Sequence, residues 1–410
     1  MVRPSWWMAG TSCRRRSLDI NRLWGDLKVT PAARLSAAIE ILDRVLAGVP
    51  VEQALTSWGR ANRFAGSGDR YALRDLVFDA LRCRRSYAAL GAGLTGRGLV
   101  LGGVRAAGLD VAALFTGIGH APALVDDEAG RIPQGAEALD VPDWLVEPLQ
   151  ASLGPDYGAV MAAMQSRAPV YLRVNLGRTT VVEAAAVLAE DTIATRPVSW
   201  VSTALEVTDN ARKVHNSRAY LDGLVELQDA SSQAVVAAMT LTPGAVVLDY
   251  CAGGGGKTLA MAACGARVDA HDIHRPRMTD LAARAGRAGA AVRIVEYPAT
   301  TAPYDVILMD VPCSGSGSWR RDPAGKWALT ADKLAALLAV QAGIMDRCQR
   351  LVAKAGVLAY ATCSLLQAEN EAQVQGFLAR HPQWRLTQAH RFSPLQGGDG
   401  FFVALLAQNS

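Results

Sequence analysis

From Pro31 onward, apolar positions recur at intervals of three and four residues. In PAARLSAAIEILDRVLAGV they set Leu35, Ile39, Leu42, Val45 and Leu46 on one stripe of a helix. GDRYALRDLVFDALRCRRSYAAL repeats the period with Leu73, Leu76, Val77, Ala80 and Leu81, and its opposite face carries Arg70, Arg74, Arg82, Arg84 and Arg85. Gly- and Ala-rich pieces continue to about residue 117. These patterns predict an all-α domain over residues 31–135. Residues 1–30, with SWWMAG and CRRRS, lack the apolar centre of a leader segment and are expected to form a loose extension.

The period changes near EALDVPDWLVEPL. VYLRVNL alternates Tyr171, Arg173 and Asn175 with Leu172, Val174 and Leu176, which predicts a strand with one polar face. TVVEAAAVLAE reads as a helix and ALEVT as a short strand, so residues 142–222 are expected to form a small α+β module. Over residues 223–408, short apolar runs alternate with helical ones. The strand candidates are AVVLDYCA, RVDAHD, VRIVE, YDVILMD, GVLAYATCS, WRLTQAHRF and FFVALLAQ, and ADKLAALLAVQAGIMDRCQRLV is the longest helix. Such alternation specifies the α/β class, a parallel-rich sheet covered by helices on both faces. Only a short loop separates the last two runs, which predicts an antiparallel end. No apolar run reaches eighteen residues, so no membrane span is expected.

Charge adds an asymmetry. Residues 1–135 carry 18 Lys and Arg against 12 Asp and Glu, whereas the remainder carries 24 against 26. A basic first third points to a polyanionic partner or to a merely solvated basic face. Seven cysteines, Cys13, Cys83, Cys251, Cys264, Cys313, Cys348 and Cys363, are scattered without a C-x-x-C pair. That spacing predicts no zinc site, and the odd count suits a reducing cytoplasm.

The stretch LDYCAGGGGKT ends like a phosphate-binding loop, but G-x-x-x-x-G-K-[ST] requires glycine where this chain has Cys251. Four contiguous glycines, 253–256, also lack the G-x-G-x-x-G spacing that spans a pyrophosphate. Asp249 closes the first strand candidate, and Asp272 follows it by 23 residues, a spacing that suits a ribose diol. A nucleoside with no phosphate, such as S-adenosylmethionine, meets that description; a plain tight turn is the other reading. Cys313 and Cys363 each lie at the carboxyl end of a strand candidate, so neighbouring strands would bring both thiols to one crevice. A helix beginning near Leu366 would lower the Cys363 pKa through its dipole. For Cys13, Cys83, Cys264 and Cys348 the expected role is that of an inert small hydrophobe. Two thiols beside a methyl donor make chemical sense. C5 of cytosine is too weak a nucleophile until a thiolate adds to C6, and a carboxyl such as Asp310 would stabilise the adduct through N3.

Five stretches resemble the RNA cytosine-5 methyltransferase family: LQDASSQ (227–233), DYCAGGGGKT (249–258), DIHRPRM (272–278), DVPCSGSGSWRRDP (310–323) and ATCSLLQAENE (361–371). The closing GGDGFFVALL fits as well. GDRYALRDLVFDALRCRRS resembles the NusB-like RNA-binding domain that precedes catalysis in the branch acting on small-subunit ribosomal RNA. The resemblance implies a Rossmann-like S-adenosylmethionine-dependent methyltransferase domain, preceded by an all-α NusB-like domain and the small α+β module. It implies that Cys363 is the nucleophile, that Cys313 assists release, and that Asp310 lies beside donor and base. S-adenosylmethionine would be bound by Cys251, Ala252, Gly253, Gly254, Gly255, Gly256, Lys257, Asp272, Arg277 and Asp310. RNA, most readily 16S ribosomal RNA, is the expected partner of a cytoplasmic monomer, with Arg320 and Arg321 either on neighbouring phosphates or solvated.

Two departures from the family pattern stand out. Gly253 and Gly254 occupy the Ala-Pro places of C-A-A-P-G-G-K, which predicts a more flexible loop. The family's aspartate after the third strand is missing from IVEYPATTAPYD, where Glu296 is the available substitute. The rival readings are a transfer RNA cytosine-5 methyltransferase, a P-loop ATPase and a non-catalytic RNA-binding protein.

Overall fold

The computed structural model describes residues 29–409. Cys13 and nearly all of the expected extension lie outside them. The chain divides into two compact units after Asp143.

The first unit is helical: α1 (Pro31–Leu46), α2 (Val51–Ala61), α3 (Ser67–Arg82), α4 (Arg84–Leu90) and α5 (Gly96–Ala106). Thr30 caps α1 by accepting from the Ala33 amide, and Pro31 occupies its first turn. The buried stripe of α1 is Leu35, Ala38, Ile41 and Leu42, whereas Ile39, Val45 and Leu46 are only half-buried. Small residues rotate the stripe because they admit a neighbour. A Cβ on Gly96 would lie 2.2 Å from the Ile39 carbonyl, so α5 packs against this face. The arginine face is also not a free surface. The helix breaks at Cys83, Arg82 is buried against Asp79, Arg74 holds Glu52 through two bonds of 2.6 Å, and Arg85 reaches Asp143 at 2.6 Å.

The second unit contains two sheets. β1 (Val170–Val174), β2 (Thr195–Pro197), β3 (Ala204–Val207) and β4 (Val225–Leu227) form an antiparallel sheet in the order β2-β3-β1-β4. The fourth strand therefore lies beyond residue 222, because Leu172 pairs with Leu227 and Val174 with Val225. Tyr171, Arg173 and Asn175, the face expected to be polar, are all buried. The alternation is real, but its polar side meets protein carbonyls instead of water. Arg173 donates to Gln228 Oε1 at 2.6 Å and to the Gly256 carbonyl at 2.7 Å, and Asn175 donates to the Ala288 carbonyl at 2.9 Å.

The larger sheet has the order β10-β11-β9-β8-β5-β6-β7. Its strands are β5 (Val246–Asp249), β6 (Arg267–Ala270), β7 (Val292–Ile294), β8 (Tyr304–Asp310), β9 (Val352–Thr362), β10 (Trp384–Phe392) and β11 (Phe401–Gln408). β5 to β9 run parallel, whereas β11 is antiparallel to both β9 and β10. Leu248, Ile307, Met309, Leu358 and Tyr360 are buried in one cluster, and Val247, Val268, Leu308 and Ala359 in a second. Burial on both faces explains why these strands read as continuous apolar runs. β5 lies between β6 and β8, so the strand order reverses there and opens a crevice at the carboxyl ends. No helix among the described residues is long and apolar enough to cross a membrane.

Candidate active site

The glycine turn leaves β5 at Asp249 and enters the helix α6 (Gly256–Ala263). Gly253 and Gly255 have φ of +52° and +82°, and a Cβ on Gly255 would lie 2.2 Å from a methyl of Leu281. Only glycine satisfies both conditions. Asp272, two residues past β6 and buried, ties the two strand ends together. It accepts from the Gly253 amide at 2.9 Å and the His274 amide at 2.8 Å, and Arg277 approaches it at 3.3 Å. Three of about four carboxylate acceptor positions are thus taken. The Gly253-Gly254 departure is met from outside the turn. Arg284, held by Glu226 at 3.0 Å, donates to the Gly254 carbonyl, and Arg173 holds that of Gly256. This bracing joins the small sheet to the turn, and the sequence pattern did not disclose it.

Asp249 Oδ2 accepts from Thr258 at 2.7 Å, but its buried Oδ1 has no partner. Burial pushes its pKa up to about 7. Because the folded protein binds this proton more tightly, the penalty for ionising it is absent below about pH 4 and complete above about pH 7. Asp249→Asn is therefore expected to match the wild type at pH 4 and to exceed its stability by up to about 4 kcal/mol at pH 8. Urea unfolding of both proteins across that range checks this; a difference independent of pH would remove the assignment. An orphaned buried acceptor, a side-chain-free turn and a second acid on the next strand end fit a polar ligand that brings its own donors.

The reactive groups stand on the adjacent parallel strands β8 and β9. Asp310 pairs in register with Ala361 at their ends. Three residues beyond Asp310 and two beyond Ala361, Cys313 Sγ and Cys363 Sγ lie 3.4 Å apart, both half-buried. Asp310 accepts from Lys257 Nζ at 2.7 Å, and that ammonium sits 4.9 Å from the centre of the Phe401 ring. Burial works to lower the pKa of Lys257, but Asp310 more than offsets it, and the ammonium's pKa is raised.

The two sulfurs differ. The hydrogen bond between them lowers the pKa of Cys363, aided by Lys257 and by Ser318, whose Oγ lies 4.0 Å away. That same bond, followed by burial and the charges of Cys363 and Glu369, raises Cys313 well above the ordinary thiol range. Burial raises Cys251, Cys264 and Cys348. The α-helix expected to begin near Leu366 is not there. Residues 367–369 make a single 3-10 turn, and the next α-helix starts only at Glu371. Beside Cys313 opens a cavity of about 390 Å³, lined by Leu329, Lys333, Leu337 and Val340.

The structure thus brings Cys363, Cys313, Asp310, Lys257 and the glycine turn to one end of the sheet. Other residues have partners within the chain. Arg320 is buried on Asp399 at 2.9 Å and so is not placed for phosphates, whereas Arg321 is exposed and bridges Asp399 and Asp229 at 2.6 and 2.7 Å. Both close the chain's own GGDG turn. Glu296 is exposed and paired with Arg275 at 3.0 Å.

Comparison with known proteins agrees with this geometry. The profile of the family described as 16S rRNA methyltransferase RsmB/F matches residues 236–407, and that of the RsmF/B-like ferredoxin-like domain matches residues 141–215. Ribosomal RNA small subunit methyltransferase B of Xanthomonas campestris pv. campestris is 33% identical over 303 residues, 68% of this chain and 69% of that protein. The crystal structure of PH0851 superposes with a TM-score of 0.74 at 23% identity, covering 92% of this chain and 99% of the other. NSun6 from Pyrococcus horikoshii, solved with SFG, gives 0.58 at 16% identity over 65% of this chain and 98% of its own. S-adenosylmethionine is the cofactor that goes with this methyltransferase domain. Two sulfurs and a carboxylate beside a glycine turn, on a doubly wound sheet with this sequence kinship, have one source: the chain belongs to the 16S rRNA methyltransferase RsmB/F family.

Proposed function

We propose that the protein methylates C5 of a cytosine in small-subunit ribosomal RNA through a transient bond between Cys363 and C6 of the base. The observation that supports this most strongly is the 3.4 Å contact between two sulfurs of unequal proton affinity, beside the Lys257–Asp310 pair. Cys363 attacks C6 as a thiolate, and the electron pair of the C5–C6 bond becomes available at C5. The proton that Cys363 gives up is taken on at N3, where Asp310, fixed by Lys257, accepts it in a hydrogen bond and steadies the adduct. S-adenosylmethionine supplies an electrophilic methyl group on a sulfonium. Loss of the C5 proton to bulk water then expels Cys363 from C6, the N3 proton returns to the departing sulfur and aromaticity is restored, with Cys313 assisting this last step.

The base enters beside Cys313 from a single-stranded or flipped nucleotide. Residues 31–135 act as the NusB-like RNA-binding domain, with salt-dependent affinity for the backbone. The protein works in the cytoplasm as a monomer. Residues 251–257, Asp272, Arg277 and Asp310 hold the methyl donor. Asp272→Ala is expected to weaken S-adenosylmethionine binding about tenfold or more, since it removes both an acceptor and the anchor of Gly253. Calorimetry checks this, and an unaltered affinity takes Asp272 out of the site. Bisulfite sequencing of RNA from cells with and without the protein tests the substrate. A single small-subunit cytosine that loses its protection is expected; loss confined to transfer RNA would assign the chain to that substrate instead.

A further inference from the structure

Glu369 is fully buried, and no ion pair among the described residues neutralises it. An unpaired buried charge is costly unless every lone pair is met. Here four donors converge on one carboxylate. The Ser314 amide reaches Oε1 at 2.8 Å and Gln341 Nε2 reaches it at 3.0 Å, while the hydroxyls of Ser314 and Ser364 each reach Oε2 at 2.5 Å. Ser314 follows Cys313, and Ser364 follows Cys363. Gln341, also fully buried, donates in addition to the carbonyl of Pro312 at 2.9 Å, so the Cys313 loop is held on both sides of the sulfur.

We propose that Glu369 is a positioning residue of this site: its carboxylate clamps the loops of Cys313 and Cys363 together and so sets the contact between their sulfurs. This rests on the reading of those thiols given above. A carboxylate is the side chain that suits the place, because every group facing it is a donor and an amide would turn its own N–H bonds toward them. The negative charge also acts on Cys313 more than on Cys363, which faces Lys257 and Asp310. Glu369 therefore helps to keep Cys313 protonated as the donor that stabilises the neighbouring thiolate.

Residue-resolved alkylation of the full chain by iodoacetamide, followed by mass spectrometry across pH, tests this without RNA. In the wild type Cys363 is expected to react faster than Cys313 at neutral pH. In Glu369→Gln the ratio of the two rates should fall about tenfold, with the Cys313 profile moved to lower pH. Turnover should drop about tenfold while KM for RNA stays within about twofold. A folded Glu369→Gln protein with the wild-type ratio, whatever its turnover, overturns the proposal. Should that variant not fold, Ser364→Ala decides. It removes one of the four donors without changing charge and should shift the ratio about threefold in the same direction; an unchanged ratio overturns the clamp. Because alkylation involves no substrate, a failure of the cytosine chemistry would leave this result standing, and the reverse also holds.

Discussion

Cys363→Ala is expected to lower methylation by roughly 10⁴-fold or more, to below detection, while the fold and S-adenosylmethionine binding persist. The size of the effect follows from the role proposed for the sulfur. Without addition to C6, C5 of the ring has no nucleophilic character for any bound methyl donor to meet. The structural cost is small, because the side chain is half-buried and lies at the end of β9, outside the hydrogen-bonded ladder. Thermal unfolding and calorimetry establish that the variant is folded and loaded, and single-turnover methylation then reads the chemistry. Turnover within tenfold of the wild type would remove the nucleophile assignment.

Cys313→Ala is expected to behave differently: a covalent protein–RNA complex should accumulate and survive denaturing electrophoresis. Its partner sulfur still attacks, but the group that assists departure is gone. The variant carries a second signature. Cys363 owes its lowered pKa first to the bond from Cys313, so its thiolate fraction at neutral pH should fall, and adduct formation should need higher pH than in the wild type. Complex formed slowly, more readily at pH 9 than at pH 7, and then persisting is the combined expectation. The absence of any complex in the presence of methyl donor at either pH would argue that Cys313 has no part in release.

Much of this site could be read from the chain because its parts are local to strand ends. The alternation of apolar runs and helices places Asp249, Asp272, Asp310 and Cys363 at or just past carboxyl ends, and parallel pairing of β8 with β9 makes the two cysteines neighbours. What escaped the sequence lies in partners distant along it. Arg173 and Asn175 alternate as a polar face would, yet their medium is the carbonyls of Gly256 and Ala288, 83 and 113 residues on. Arg320 and Arg321 have the composition of a phosphate site, but Asp399 and Asp229 occupy them. Glu369 is one acid in AENE and nothing in the spacing marks it. Only the folded chain shows its carboxylate between the residues that follow each cysteine. The lowered pKa of Cys363 was foreseen, but its cause was not, because a thiol–thiol contact depends on loop geometry that no periodicity encodes.

The central claim is that one sulfur, Cys363, bonds to the pyrimidine ring. Small-subunit ribosomal RNA transcribed with 5-fluorocytidine tests it most directly, since fluorine at C5 leaves no proton to lose and strands the intermediate. After incubation with S-adenosylmethionine, protease and nuclease digestion and peptide mass spectrometry should find a methylated fluoropyrimidine attached at Cys363 and at no other residue. Attachment at Cys313, or a quantitatively unmodified Cys363 under conditions where the natural RNA is methylated, would contradict the account.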